Sequence, residues 1–157
     1  MILSYNFWYT MEIKIDSINW KILQSLQLNA RESFASIGRK VGLTSPAVAE
    51  RVKKLEDLGI IQGYKLKVSH TLTGHQLKAI ITLRAFMGKL KPFLATVANF
   101  KEVVNCYRVT GNENIVMEVV LQDQFHLERF IDNLIQYGET RTHIILSEVI
   151  ASAPILK

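Results

Sequence analysis

Cysteine is almost absent from this chain, and a long apolar run is missing altogether. Of 157 residues only Cys106 is a cysteine, so a disulfide framework is excluded and the composition fits a reducing cytoplasm. In the apolar stretch 103–109, a lone cysteine is expected to act as a small buried hydrophobe. The apolar opening, residues 1–10, is short and has no basic segment or small-residue cleavage site. We therefore expect a soluble cytoplasmic protein without a membrane span.

Residue groups that would bind metals or carry out catalysis are also missing. The four histidines, His70, His75, His126 and His143, are scattered, and none has a second metal-type ligand at helical spacing, which argues against zinc. There is no glycine-rich phosphate loop. The paired carboxylates Glu56 and Asp57 fall on a solvated helix face. The sequence therefore predicts a protein that is not an enzyme, with no metal and no cofactor.

Two short amphipathic helices are predicted between Phe34 and Tyr64, in the stretch FASIGRKVGLTSPAVAERVKKLEDLGIIQGY. The first places Phe34, Ile37 and Val41 on one side, and Gly42 suits the left-handed residue that ends a helix. This layout is typical of a helix-turn-helix that reads DNA.

Thr44 is the expected N-cap of the second helix, because its hydroxyl can accept from a free amide of the next turn. Pro46 lies in that first turn, where a missing N–H has no cost. Val48, Val52 and Leu55 follow at the spacing of an inward-facing stripe. A groove would meet the opposite, outward face of this helix.

Charge favours DNA over the alternative that these are ordinary helices with solvated faces. The stretch Arg31 to Lys67 carries eight basic residues against four acidic ones. A basic surface around two helices is the electrostatic footprint of a duplex binder.

The segments on either side complete a small unit of the winged type. Asp16 is predicted to cap a helix that runs to about Leu28, with Ile18, Ile22 and Leu26 facing inward. After Gly59 ends the second helix of the pair, residues 65–68 alternate polar and apolar side chains, which predicts a strand, the wing.

The second half of the chain predicts an α+β fold, a ferredoxin-like βαββαβ sandwich with both helices on one face of the sheet. Its predicted elements are strand 77–85, helix 91–100, strands 103–110 and 115–121, helix 125–137 and strand 140–149. One sheet face would remain open, and a partner subunit is the usual cover. We therefore predict a homodimer.

Four sequence blocks, beginning at Asp16, Ile37, Val48 and Gly59, resemble the leucine-responsive regulatory protein/AsnC (Lrp/AsnC) family of transcription regulators. These blocks read DSINWKIL, IGRKVGLT, VAERVKKLE and GIIQGY. The resemblance covers about residues 15–153. It implies a winged helix-turn-helix that binds double-stranded DNA, followed by a ligand-sensing domain, with assembly as a dimer, tetramer or octamer.

DNA contacts are predicted on and around the second helix of the pair. Residues expected at base edges or the groove floor are Thr44, Ser45, Pro46, Ala49, Glu50 and Lys53. Residues expected to hold phosphates are Arg39, Lys40, Arg51, Lys54 and Lys65.

The resemblance also implies a site for a small amino-acid effector between subunits. In the family, a Gly followed three residues later by Asp or Asn, and a Thr-x-Thr at the last strand, border that pocket. The matching positions, with the residues between the first pair, are Gly111, Asn112, Glu113, Asn114, Thr140 and Thr142. An ordinary hairpin turn is the alternative interpretation of residues 111–114.

Four segments follow from this interpretation: an N-terminal extension at 1–15, the DNA-binding domain at 16–69, a linker at 70–76 and the sandwich at 77–157. The extension has two interpretations. It is either an addition that comes from the choice of start site or from cloning, or an added strand whose Phe7, Trp8 and Tyr9 dock on a neighbour.

Two alternative functions are also open. One is an architectural DNA-wrapping protein without an effector. The other is a decarboxylase of sirohaem-type tetrapyrroles, because some proteins that resemble this family have that activity.

Overall fold

The computed structural model describes residues 14–156, so the predicted docking of Phe7, Trp8 and Tyr9 lies outside the described residues. The chain forms two compact units. One is a helical unit made of residues 14–66 together with residues 150–156, and the other is a sheet unit of residues 67–149. The prediction that residues 77–157 form one domain differs from this division, because the last residues contact the first helix. Within the expected linker, Thr71–Thr73 forms a 3₁₀ turn.

The helical unit contains α1 (Ser17–Leu28), α2 (Phe34–Val41) and α3 (Ser45–Asp57). Each helix begins at a side-chain cap: Asp16, Ser33 and Thr44 accept a hydrogen bond from the amide three residues further along. The predicted caps at Asp16 and Thr44 are therefore confirmed. Gly42 ends α2 with a φ of 74°, in the left-handed region that favours glycine.

The core of the helical unit is built by inward stripes of all three helices. The buried residues are Ile22, Leu26, Ile37, Val48 and Val52. Leu55 on α3 is also buried, as predicted. The stripes are brought together by one short turn between α2 and α3, and this turn fixes which face of α3 points outward.

The predicted wing strand at residues 65–68 is wrong as an element of the single chain. These residues form no strand, and Leu66 is 88% exposed. A strand requires a partner for its backbone N–H and C=O groups, and alternation of side chains alone does not supply one.

The sheet unit has four antiparallel strands in the order β2-β3-β1-β4. The strands are β1 (Leu77–Ala85), β2 (Val103–Arg108), β3 (Ile115–Leu121) and β4 (Gly138–Ile144). The helices are α4 (Leu90–Thr96), which continues as a 3₁₀ turn over Val97–Asn99, and α5 (Gln124–Leu134). The predicted ferredoxin-like order is therefore confirmed.

Strand β4 ends before residue 149, where the sequence placed its end. Its partner β1 begins at Leu77, and the pairing register reaches only Ala79 with Ile144. One more backbone bond, from Ile145 to Lys78, follows at 2.9 Å. Beyond it only Leu77 of β1 remains, so residues 147–149 have no residue of β1 opposite them.

Both helices cover the same face of the sheet. Phe93 of α4 and Phe130 of α5 lie in one buried cluster with Ile81 of β1 and Met117 of β3. Cys106 is half-buried beside this cluster, and burial raises the pKa of its thiol. The small-hydrophobe role predicted for it agrees with this position.

The opposite face of the sheet carries the alternate residues of each strand, including Lys78, Ile80, Thr82 and Glu118. On this face Lys78 forms an ion pair with Glu118. The hydroxyl of Thr82 is buried but has no hydrogen-bond partner among the described residues. A buried hydroxyl normally has a hydrogen-bond partner, and a second protein surface that covered this face could supply one.

Candidate nucleic-acid interface and effector site

Helix α3 presents the outward face that the sequence predicted. Ser45, Pro46, Glu50, Lys53 and Lys54 are all exposed. Ala49 is half-buried, so it lies at the edge of this face. The hydroxyl of Thr44 accepts from the amide of Ala47 at 3.4 Å, which occupies it in capping α3.

The position of α3 depends on Gly38, a residue that the sequence patterns did not single out. The amide of Leu43 donates to the carbonyl of Gly38 at 2.9 Å. A methyl group at Gly38 would overlap the carbonyl oxygen of Leu43. Only a glycine therefore allows the turn before α3 to fold back this closely on α2.

Arg51 lies on α3, and the structure places its guanidinium against α1. Its Nη1 donates to Oδ2 of Asp16 at 2.7 Å and to Oδ1 of Asn19 at 2.9 Å. The backbone amide of Asn19 and the side chain of Arg51 together hold the pKa of Asp16 below its usual value. The structure thus gives Arg51 a role in joining α3 to α1, while its predicted phosphate contact stays a prediction.

Among the other residues predicted to bind phosphates, Lys40 forms an ion pair within the chain, whereas Arg39 and Lys65 are simply exposed. Lys40 forms an ion pair with Glu32 at 2.6 Å, and its side chain remains 57% exposed. Hydrogen bonds from Lys40 and Ser36 hold the pKa of Glu32 below its usual value. Arg39 and Lys65 are exposed.

One aromatic contact joins α3 to the extended segment after it. The hydroxyl of Tyr64 donates to Oε1 of Glu56 at 2.8 Å. Desolvation and this carboxylate raise the pKa of Tyr64 to about 12. Tyr64 thus connects the end of the helix to the exposed segment that the sequence predicted as a wing.

In the predicted effector site, Asn114 is held by hydrogen bonds to other residues of the chain. Its Oδ1 accepts from the amide of Ala85 at 2.9 Å, and its own amide donates to the carbonyl of Leu83 at 3.0 Å. These two bonds hold the hairpin turn against the end of β1. If Asn114 bound the ammonium group of an amino-acid effector, the two would have to share an oxygen that already accepts a hydrogen bond in this structure.

The hairpin turn and β4 meet at the same end of the sheet. Glu113 and Arg141 form an ion pair at 3.4 Å. Gly111 has a φ of 122°, a conformation that L residues rarely adopt, and Asn112 is exposed.

Thr140 and Thr142 lie on the other face of β4 from Arg141, since successive side chains of a strand alternate. They pair with Leu83 and Ile81 of β1, whose side chains belong to the helix-covered core. Within one chain, the described contact from the turn to β4 is therefore made by Glu113 and not by the threonines.

Metal-type clusters are absent from residues 14–156: no three His, Cys, Asp or Glu side chains are grouped to hold an ion. His126 instead lies 2.9 Å from Oε1 of Glu102, and its Nδ1 accepts from the amide of Gln122. In the same part of the chain, no helix has the length and apolar character needed to cross a membrane.

Comparison with protein families matches both units. A model described as the AsnC-type helix-turn-helix domain matches residues 15–56. A model described as the Lrp/AsnC ligand binding domain matches residues 78–155.

Individual relatives agree with these matches. LrpC of Bacillus subtilis, an HTH-type transcriptional regulator, is 30% identical over 137 residues, which are 87% of this chain and 95% of LrpC. The solved structure of LrpC has a TM-score of 0.83, with 88% of this chain and 99% of that chain covered.

Two similar structures contain an amino acid. A transcriptional regulator from Neisseria meningitidis, solved as an L-Met complex, has a TM-score of 0.85 at 25% identity and covers 90% of this chain and 96% of its own. The feast or famine regulatory protein from M. tuberculosis, complexed with L-methionine, has a TM-score of 0.81 at 26% identity and covers 88% and 96%.

Proposed function

Since the chain belongs to the Lrp/AsnC family of transcription regulators, we propose that it binds its DNA sites as a homodimer and that a small amino acid modulates this binding. The observation that carries the proposal is the outward face of α3, which is held in place by the Gly38 turn. Helices of this arrangement enter the major groove with their first residues at the base edges.

The roles proposed for residues of α3 follow from their positions on the exposed face of the helix. Glu50 lies on the exposed face in the second turn of the helix, where a carboxylate can accept from the amino group of a cytosine. Lys54 lies one turn further on and toward the side, where the phosphates of the groove wall run. We assign the remaining predicted positions on this face to the same two classes of contact.

Homodimer formation is supported by the uncovered face of the sheet. Ile80, Thr82 and Val116 are half-buried there in the single chain, although no helix of the sheet unit covers them. A two-fold dimer that buried this face would also present two α3 helices to a palindromic site, with half-sites about one helical turn or a multiple apart.

The amino-acid response is supported by the ligand-domain match and by the two neighbours that hold L-methionine. We place the effector at the sheet end formed by the turn 111–114 and the start of β4. Because Thr140 and Glu113 are on different faces of that end within one chain, a complete pocket would combine the turn of one subunit with the threonines of another.

Selection of bound genomic fragments by the full chain, with and without each candidate amino acid, tests the proposal. A defined palindromic motif whose recovery changes with one amino acid is the expected result. Recovery of fragments without a shared motif, unchanged by any amino acid at millimolar concentration, would instead favour the architectural DNA-wrapping function.

A further inference from the structure

A cavity on the helical unit is bordered on one side by the C-terminal part of this chain. This cavity is an apolar groove of about 380 Å³ between α1 and residues 60–65. Its lining includes Trp20, Leu23, Leu26 and Tyr64, and Ile155 from the far end of the chain closes one side. We call residues 150–156 the C-terminal strap.

Gln27 on α1 recognises the backbone of the strap and not a particular side chain. Its Oε1 accepts from the amide of Ile155 at 2.8 Å, and its Nε2 donates to the carbonyl of the same residue at 3.3 Å. A carboxamide that both donates to and accepts from one residue reproduces the pairing of a neighbouring strand.

The strap is held lightly. The side chain of Ile155 is 73% exposed and that of Leu156 is 62% exposed, so little apolar surface leaves water when it docks. Ser152 has a φ of 51° and is the one non-glycine residue with positive φ among residues 14–156. Such a conformation persists only where the surrounding contacts maintain it, and release of the strap would relax it.

We propose that the C-terminal strap is a reversible intramolecular ligand of the DNA-binding unit, and that docking through Gln27 strengthens DNA binding by holding α1 and residues 60–65 in place.

Docking is tested in the full chain with Gln27→Ala and the matched control Gln24→Ala. Gln24 has the same side chain on the same helix and also lies beside Ile155 and Leu156. Among the described residues its side chain makes no hydrogen bond to the strap, so the comparison isolates the two bonds of Gln27. Hydrogen exchange of the Ile155 amide should be accelerated about tenfold or more in Gln27→Ala and should stay at the wild-type rate in Gln24→Ala.

Trp20 provides a second readout, since it lines the groove. In a Trp8→Phe background it is the only tryptophan of the chain, which has two. Its emission should move to longer wavelength when the strap is removed by a stop codon at position 150, and in Gln27→Ala. An Ile155 amide that exchanges equally fast in wild type, Gln27→Ala and Gln24→Ala, with unchanged Trp20 emission, would overturn the docking.

The effect on DNA is measured separately with one selected duplex. Gln27→Ala and the truncated chain should bind it about three- to tenfold more weakly, because two hydrogen bonds that support α1 are lost, with an unchanged salt dependence. Equal affinity in all variants would overturn the functional part. The affinity measurement rests on the proposed DNA-binding function, whereas hydrogen exchange and Trp20 fluorescence do not. If the chain did not bind DNA, those two measurements would still show whether the strap docks.

Protein concentration distinguishes this chain's own strap from that of a second copy. Docking within one chain predicts that Ile155 protection is the same at all concentrations. Protection that appears only as concentration rises would overturn the intramolecular assignment.

Discussion

Arg51 of α3 and Asp16, the residue that caps α1, are joined by a hydrogen bond of 2.7 Å between Nη1 and Oδ2. The other carboxylate oxygen of Asp16 accepts from the amide of Asn19 at 2.6 Å. One side chain therefore begins the first helix and fixes the helix that faces DNA. The orientation of α3 is set by this pair on one side and by the turn at Gly38 on the other.

Replacing Asp16 by Ala should lower the free energy of unfolding by about 1 kcal/mol, mainly through loss of the cap. Arg51→Ala should cost less, since an exposed ion pair contributes at most about 1 kcal/mol. A double-mutant cycle by urea denaturation measures the coupling. Strictly additive effects of the two changes would contradict a stabilising contact.

The same pair predicts a dependence on pH. The pKa of folded Asp16 lies below its ordinary value of 3.8, so its contribution is fully present above that value. It should be lost as the pH falls through the lower, folded pKa. Asp16→Asn should therefore show a shallower acid limb of unfolding than wild type: wild type should be the more stable protein near neutral pH, and the difference should disappear as the pH falls below the folded pKa of Asp16.

DNA recognition is tested by comparing Glu50→Ala with Lys54→Ala, two changes one helical turn apart. Glu50→Ala should lose about 1–3 kcal/mol of discrimination at one base position. Lys54→Ala should weaken all sequences alike and lower the salt slope by about 1. Titration of matched and singly substituted duplexes at several salt concentrations measures both, and exchanged outcomes would overturn the proposed docking of α3.

Gly38→Ala should destabilise the helical unit by about 1–3 kcal/mol, because the new methyl group forces α2 and the turn apart. Gly42→Ala is the matched control: the space around it is open, so only its positive φ is penalised, at about 1 kcal/mol. Thermal unfolding compares the two, and DNA affinity should fall more for Gly38→Ala. The opposite order would show that backbone strain, and not the close approach, governs this turn.

The proposed dimer interface on the open face of the sheet can be tested with a single charged substitution. Ile80→Arg should raise the dimer dissociation constant roughly 100-fold or more, since a bulky charged side chain would replace an apolar one in the interface, and burying it costs several kcal/mol even with Glu118 across the sheet. Ile135→Arg, at an exposed position at the end of α5, is the control and should leave assembly unchanged. Sedimentation at micromolar concentration distinguishes them, and a dimer that tolerates Ile80→Arg would place the interface elsewhere.

For the effector, Thr140→Val and Thr142→Val remove the hydroxyls but keep the shape of each side chain. Either change should weaken the amino-acid response by about tenfold if the hydroxyl contacts the ligand, while DNA affinity without ligand stays at the wild-type value. Changes at Gly111 are less informative, because any other residue is strained at its φ of 122°. Calorimetry with a panel of amino acids provides the measurement, and normal binding by both variants would exclude this edge.

Local signals predicted local structure well. The caps at Asp16 and Thr44, the left-handed Gly42, and the bounds of β1 and β3 agree with the sequence because each depends on residues a few positions apart. What the patterns missed depends on distant partners. No periodicity shows that Arg51 reaches Asp16, or that Asn114 bonds to the end of β1.

The incorrect wing strand has the same origin. The alternation of polar and apolar side chains in residues 65–68 shows only that one side of the segment could be buried. A strand also needs a neighbouring backbone with which to form hydrogen bonds. The base-edge, phosphate and effector contacts likewise involve molecules outside the single chain, so they remain predictions that the experiments above decide.

The bond between Gln27 and Ile155 spans 128 positions, which has a consequence for the order of folding. During synthesis α1, α2 and α3 emerge first and can form their own core, since proteins fold N-terminal domains first. The strap is made only after the whole sheet unit. A newly made chain would therefore pass through a stage in which its DNA-binding helices are folded but the strap has not docked. On the role proposed for the strap, the affinity for DNA at that stage would be below its final value.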